Sequence, residues 1–177
     1  QVELHLFVTG QDWLQDVVDV FAGRLQVHQL ELEDPRQLPL RAVRALLDHA
    51  NPTDLSLYLE DDLVIQDSFY VDKQWWFTNR TQHRFVLMPH RREPTVANAP
   101  QQLFVDGPIK AVGQESAVWA SDEEEVASGQ FWDGQQVTFV RALNPHSGSF
   151  CLSEQQLTQL RSLPWPPVQF VGPLETA

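Results

Sequence analysis

Residues 57–65 constrain the fold more than any other stretch of the chain. Three consecutive carboxylates, Glu60, Asp61 and Asp62, separate two apolar triplets in it. A short apolar run is typical of a buried strand, but burying like charges without partners costs several kcal/mol per ion. The acids are therefore expected where the strand ends, at the sheet edge at which α/β proteins bind their ligands.

The alternation of side chains along a strand places Glu60 and Asp62 on one face and Asp61 on the other. Such a pair suits a hard divalent cation that also carries phosphate oxygens. The alternative is a solvated turn at the strand end. Turns normally carry Gly, Pro, Asn or Ser, whereas here the apolar run resumes at once over 63–65. The pattern favours a binding site.

The residues before the acids predict alternating strands and helices. Strands are expected at 2–8 and 26–32, and apolar residues at helical spacing over 14–21 predict a helix between them. A second amphipathic helix, over 40–50, leads into the acid-bearing strand. This β-α-β-α-β order predicts an α/β fold with a mostly parallel central sheet flanked by helices.

The elements expected after the acids are more scattered. A third helix is expected from Asp67 or Ser68 to about Asn79. A final helix is marked by Ser153 and Gln156, which form a capping box. Strands are expected at 84–88, 102–105, 136–143 and 150–152.

Composition excludes several classes of protein. A net charge of −12 leaves no broad basic surface for a nucleic acid, and no apolar run approaches the roughly 18–20 residues of a membrane span. The single cysteine, Cys151, excludes an internal disulfide and is expected to be a small buried side chain. The cysteine usage favours a reducing compartment, the cytoplasm, with the Golgi lumen as the alternative in a eukaryote.

The length suits one domain over 1–177. The chain begins directly in an expected strand and stops where a helix is expected to begin. These ends predict a fragment of a longer protein.

Two βα units and an apolar strand ending in Glu60-Asp61-Asp62 resemble a nucleotide-sugar glycosyltransferase of the GT-A fold. The resemblance implies that the acids act as the DxD-type motif, with Asp62 as a ligand of Mn²⁺ or Mg²⁺ and Glu60 or Asp61 near the ribose or donor sugar. It implies a further metal ligand, His146, in a late loop. The family usually carries an earlier base-binding βα unit. Either that unit lies upstream of Gln1 or the fold differs.

The same resemblance implies a nucleoside-diphosphate sugar as donor, here expected to be a UDP-sugar, and a carbohydrate or glycoconjugate acceptor. Charge that develops on a departing diphosphate is stabilised by a cation together with Lys or Arg. Lys73, Arg91 and Arg92 are the candidate phosphate partners, and a solvated surface is the expected role of at least two of them.

An inverting transferase also needs a carboxylate that deprotonates the acceptor hydroxyl. Asp122, Glu123 and Glu124 are the candidates for this catalytic base. The alternative for each of them is a solvated charge run.

Aromatic residues suggest where an acceptor would lie. Four of them lie in or near the segments that would surround it: Trp75, Trp76, Trp119 and Trp132. Trp75 and Trp119 are the better candidates for stacking on a sugar ring, whereas Trp76 is expected in the core. Two other functions stay open. A non-catalytic carbohydrate- or protein-binding domain of the same fold would keep the aromatic surface without metal-dependent donor binding. A metal-assisted phosphohydrolase would need no acceptor.

Overall fold

A computed structural model describes residues 2–11, 13–21, 23–49, 55–89, 91–93, 102–104, 125–141 and 148–163. Over these residues the chain is a mixed α/β protein, as the sequence predicted. Its elements are β1 (His5–Thr9), α1 (Gln15–Val20), β2 (Gln26–Leu30), a 3₁₀ turn (Pro35–Gln37), α2 (Leu38–His49), β3 (Leu55–Leu59), α3 (Tyr70–Arg80), β4 (Arg91–Glu93), β5 (Gln102–Phe104), β6 (Glu125–Gln130), β7 (Gln136–Val140), β8 (Ser149–Ser153) and α4 (Glu154–Ser162).

The described strands do not form the mostly parallel sheet that was expected. They form four two-stranded sheets, of which β1–β2 is parallel and β3–β8, β4–β5 and β6–β7 are antiparallel. The parallel pair β1–β2 is joined through α1, the kind of crossover connection that parallel neighbours require. The acid-bearing strand β3 pairs with β8, from the far end of the chain, rather than extending β1–β2.

The central apolar core lies between α2, β8 and α4. Leu47, Leu152 and Leu157 are almost fully buried in it, with Val43 and Leu46 packed alongside. The predicted stripe of α2 therefore faces this core. The start of α4 is capped as the sequence predicted, since the Ser153 side chain accepts from the amide of Gln156 and the Gln156 side chain accepts from the amide of Ser153.

A second packed region joins α3 to the β6–β7 hairpin. The Phe77 ring lies edge-on to Phe139, with 4.8 Å between centroids. Trp76 packs against Phe131 and Phe139, at 5.2 and 5.9 Å. A Cβ atom at Gly129 would lie 2.7 Å from the Trp76 ring, so the hairpin backbone approaches the indole as only glycine allows. Trp76 is a packing residue, as predicted.

The strand predicted at 84–88 is wrong. Residues 84–88 are not a strand, and side-chain amides take two of the carbonyls that a partner strand would use. Gln74 Nε2 donates to the Leu87 carbonyl at 3.3 Å, and Gln156 Nε2 donates to the Phe85 carbonyl at 2.8 Å. The segment is a strap that binds α3 and α4 through these two glutamines.

The elements β4 and β6 were not predicted. β6 carries few of the β-branched or aromatic residues that mark a strand, and it is held by pairing with β7 across a short turn. Among the described helices, none is long and apolar enough to cross a membrane.

Candidate functional site

The acid cluster follows directly on β3, at the strand end where the sequence placed it. The Glu60 amide donates to the Gly148 carbonyl at 2.9 Å, which extends the β3–β8 pairing by one bond. The Leu63 amide then donates to the Glu60 carbonyl at 3.2 Å and closes a turn. Asp61 and Asp62 lie exposed in this turn. The result is one carboxylate beside β8 and two in solvent.

Glu60 is the anchored member of the cluster. Its Oε2 atom would lie 3.1 Å from a Cβ atom at Gly148, so the carboxylate rests on a position that has no side chain. The Tyr58 hydroxyl reaches Glu60 Oε1 at 3.5 Å, and the Tyr58 ring stacks on Phe150 at 5.2 Å. Burial, and then the nearby Glu60 charge, raises the pKa of Tyr58. The tyrosine therefore stays a neutral hydrogen-bond donor toward the carboxylate.

The described residues do not by themselves complete a metal site. No group of three or more His, Cys, Asp or Glu side chains is placed to hold an ion within the part of the chain that the structure describes. The predicted ligand set needs His146, which lies outside the described residues. Its neighbour in sequence, Gly148, contacts Glu60.

Lys73 is engaged elsewhere than at the acid cluster. Its Nζ lies 2.8 Å from Asp67 Oδ2 and 5.3 Å from the centroid of the Phe131 ring. These contacts place the ammonium at the start of α3, beside the β6–β7 turn. The hydrogen bond from Lys73 lowers the pKa of Asp67, whose carboxylate also accepts a hydrogen bond from the Phe69 amide just before the helix.

The other predicted site residues have no described side chain. Arg91 lies in β4, where it pairs with Phe104, and only its backbone is described. Arg92 is described in the same limited way. The candidate bases Asp122, Glu123 and Glu124, and the candidate stacking residue Trp119, lie outside the described residues.

A second feature is a groove between α3 and the β6–β7 turn, about 750 Å³ in volume. Its aromatic walls are Phe69, Trp75, Trp76 and Trp132. Its polar walls are Asp72, Asn79 and Arg80.

Sequence reasoning named Trp75 but missed these polar residues. The signal was present, because 72, 75, 76, 79 and 80 recur at the spacing of one helical face. Trp132 could not be placed by that spacing, since it comes from a distant hairpin.

Cys151 is buried in β8, opposite Leu57 of β3. Burial raises the pKa of its thiol to about 12. A thiol that keeps its proton and is shielded from solvent is a poor nucleophile, so Cys151 is a packing residue, as the sequence predicted.

Comparison of the chain with family models, with curated proteins and with solved structures found no match.

Proposed function

We propose that this chain is a metal-dependent glycosyltransferase domain of the GT-A type, which moves a sugar from a nucleoside-diphosphate sugar to a hydroxyl acceptor. One observation carries the proposal: β3 and β8 are neighbours, and the Glu60 amide donates to the Gly148 carbonyl. The two metal ligands predicted from the sequence belong to the segments next to this contact. Asp62 follows β3 along the chain, and His146 precedes β8. The contact of Glu60 with Gly148 at one sheet edge supports a site built from both segments.

Asp62 and His146 are the residues proposed to hold Mn²⁺ or Mg²⁺, and Glu60 or Asp61 to face the ribose or donor sugar. A bound divalent ion stabilises charge on a departing diphosphate. Arg91 is a further candidate for the phosphates. Lys73 is a weaker one, because a phosphate would have to compete with Asp67 for its ammonium.

The catalytic base is proposed among Asp122, Glu123 and Glu124. In an inverting reaction one of these carboxylates would take the proton of the acceptor hydroxyl as the new glycosidic bond forms. Each carboxylate can be replaced in turn by the matching amide, and turnover and donor binding measured for each variant. The base is the residue whose replacement abolishes turnover but leaves donor binding intact.

The first experiment is a calorimetric titration of the purified protein with UDP, with and without Mn²⁺. Binding is expected only with the metal, and it is expected to vanish in Asp62→Ala. Asp16→Ala removes an exposed carboxylate in the first turn of α1 and is the matched control. Failure of the wild-type protein to bind UDP, GDP or any other nucleoside diphosphate with Mn²⁺ would overturn the proposal.

Gly148→Ala tests the geometry of the site. The added methyl would meet Glu60 Oε2 and Leu63 Cδ1, both at 3.1 Å, so the carboxylate has to move by a few tenths of an ångström. Metal-dependent UDP affinity is expected to fall while the circular dichroism spectrum is unchanged. If the folded variant binds UDP with unchanged affinity, Gly148 and Glu60 do not belong to the nucleotide site.

The alternative function is a non-catalytic carbohydrate- or protein-binding domain, and the aromatic groove is the observation that favours it. Turnover of a UDP-sugar that depends on an added acceptor distinguishes transfer from binding alone. Release of phosphate without any acceptor would instead indicate a phosphohydrolase.

A further inference from the structure

The groove between α3 and the β6–β7 turn contains two kinds of aromatic residue. Trp76 is packed against the hairpin, as described above. Trp75 and Trp132 leave 47% and 52% of their surface exposed. Indoles carry more apolar surface than most side chains, and leaving it in water is unfavourable. Because the two rings line the same groove, their exposed faces form one aromatic surface that a ligand could contact.

One of the two exposed rings, that of Trp132, is held by aromatic contacts. Trp132 contacts Phe69 edge-on at 5.1 Å and Phe131 at 5.8 Å. Trp75 is carried by α3, where its carbonyl accepts a hydrogen bond of 2.8 Å from Asn79 Nδ2. Since these contacts fix the Trp132 ring before binding, it loses little side-chain freedom when a ligand arrives.

Polar groups of different kinds accompany the rings on α3. The Asn79 amide uses its nitrogen on the Trp75 carbonyl, and its Oδ1 remains an acceptor. Arg80 Nε donates to the Ser128 carbonyl at 3.3 Å, which directs the guanidinium along the hairpin. The Asp72 carboxylate is exposed in the first turn of α3 and lines the groove. The groove therefore offers both donors and acceptors beside flat apolar faces.

We propose that this groove binds an uncharged saccharide of pyranose rings. A pyranose has an apolar C–H face that an indole can cover and a rim of hydroxyls that both donate and accept. The groove presents both partners, with Trp75 and Trp132 for the faces and Asp72, Asn79 and Arg80 for the rim. A polyanion is disfavoured by Asp72 and by the net charge of −12.

Saccharide binding in this groove needs neither a nucleotide nor a metal. It can therefore be tested independently of the proposed transferase activity. If the chain does transfer sugar, this groove is where the acceptor would be held.

The test is binding of cellohexaose, maltohexaose and chitohexaose to the whole protein in EDTA, followed by tryptophan fluorescence and by saturation-transfer NMR. Binding of at least one of the three is expected, and Trp75→Ala is expected to weaken it by about tenfold or more, the effect of losing about 1.4 kcal/mol of ring contact. Trp132→Ala is expected to act in the same direction.

Val71→Ala is the matched control. It removes an apolar side chain on the same helix that is 63% exposed and outside the groove lining. Asp72→Asn keeps the shape and tests the hydroxyl contacts. Failure of all three saccharides to bind the folded wild-type protein would overturn the proposal, as would equal loss of binding in Val71→Ala. Concentration-dependent self-association that Trp75→Ala abolishes, without saccharide binding, would assign the groove to a second copy of the chain.

Discussion

Helices α1 and α4 have similar apolar spacing in sequence but opposite positions in the fold. In α4, Leu157 is fully buried and Gln156 nearly so. In α1 no residue is buried, and Leu14 at its start and Val20 at its end are 70% and 79% exposed. The periodicity that predicts a helix does not reveal what its apolar face will meet.

Their first turns differ in the same way. Ser153 caps α4 through a complete capping box, whereas the cap position of α1 is occupied by Leu14 and has no side-chain hydrogen bond. Arg161 pairs with Glu154 at 2.9 Å and donates to the Leu47 carbonyl, tying α4 to α2. Caps and tertiary contacts therefore reinforce each other in α4, whereas among the described residues α1 has no side-chain cap at its start and no buried side chain.

The largest expected effect is the loss of stability when an apolar side chain of α4 is shortened in the core. Leu157→Ala should lower the free energy of unfolding by about 2–5 kcal/mol, because it leaves a cavity between α2, β8 and α4. Val17→Ala, on the 46% exposed face of α1, should change it by about 0.5 kcal/mol or less. Urea denaturation measures both. Equal losses would show that α1 is as firmly packed as α4.

The second largest effect is expected from a rise in pH, which should lower the free energy of unfolding through groups buried at and near β8. Burial raises the pKa of the Cys151 thiol from 9.0 to about 12 and that of Tyr70 from 10.0 to about 12. The folded chain thus holds protons that the unfolded chain releases, so stability is complete below about pH 9 and falls as the pH rises toward 12. The thiol alone contributes up to about 1.4 kcal/mol per pH unit in this window.

Urea midpoints at pH 8, 9 and 10 measure this loss. Cys151→Ala is the control, since it should reduce the loss between pH 9 and 10, where Tyr58 and Tyr70 are at most half ionised in the unfolded chain. A wild-type midpoint that does not change up to pH 10 would contradict the expected burial of the thiol.

The two helix starts give the smallest effects. Ser153→Ala should cost about 1 kcal/mol, because it removes the acceptor for the Gln156 amide. Leu14→Asp supplies the cap that α1 lacks and should raise amide protection in its first turn with little change in global stability. Hydrogen exchange resolves the two helices separately. Amide protection can remain greater in α4 than in α1 after Leu14→Asp without contradicting this prediction. A variant that gains no protection in α1 would contradict it.

The sequence predicted local structure where the signal is local. The capping box at Ser153, the stripe of α2 and the end of β3 before Glu60 all follow from residues within one or two turns of each other. The pairing of β3 with β8 could not be predicted, because it depends on which distant strand competes best for an exposed edge. The groove as a whole could not be predicted for the same reason, since Trp132 joins the residues of α3 from another segment.

The strand predicted at 84–88 shows how tertiary contacts override an apolar pattern. Phe85 and Leu87 do alternate as in a strand, but the amides of Gln74 and Gln156 occupy their carbonyls. Those two glutamines lie on helices, and nothing in the local sequence of the strap indicates them.

The pairing of β3 with β8 has a consequence for how the chain folds. Leu59 faces Ser149 across the pair, so the first contacts between these strands close a loop of about 90 residues. Contacts this far apart slow folding, because chain entropy is lost before the pairing compensates for it. The carboxylate of Glu60 can reach its place on Gly148 only after that closure. Yet the closure cost grows only logarithmically with length, by about 0.6 kcal/mol for each doubling. The loops between the two strands, as distinct from α3 and the β6–β7 hairpin, can therefore gain or lose residues over evolution at little thermodynamic cost, provided that the two strands still meet.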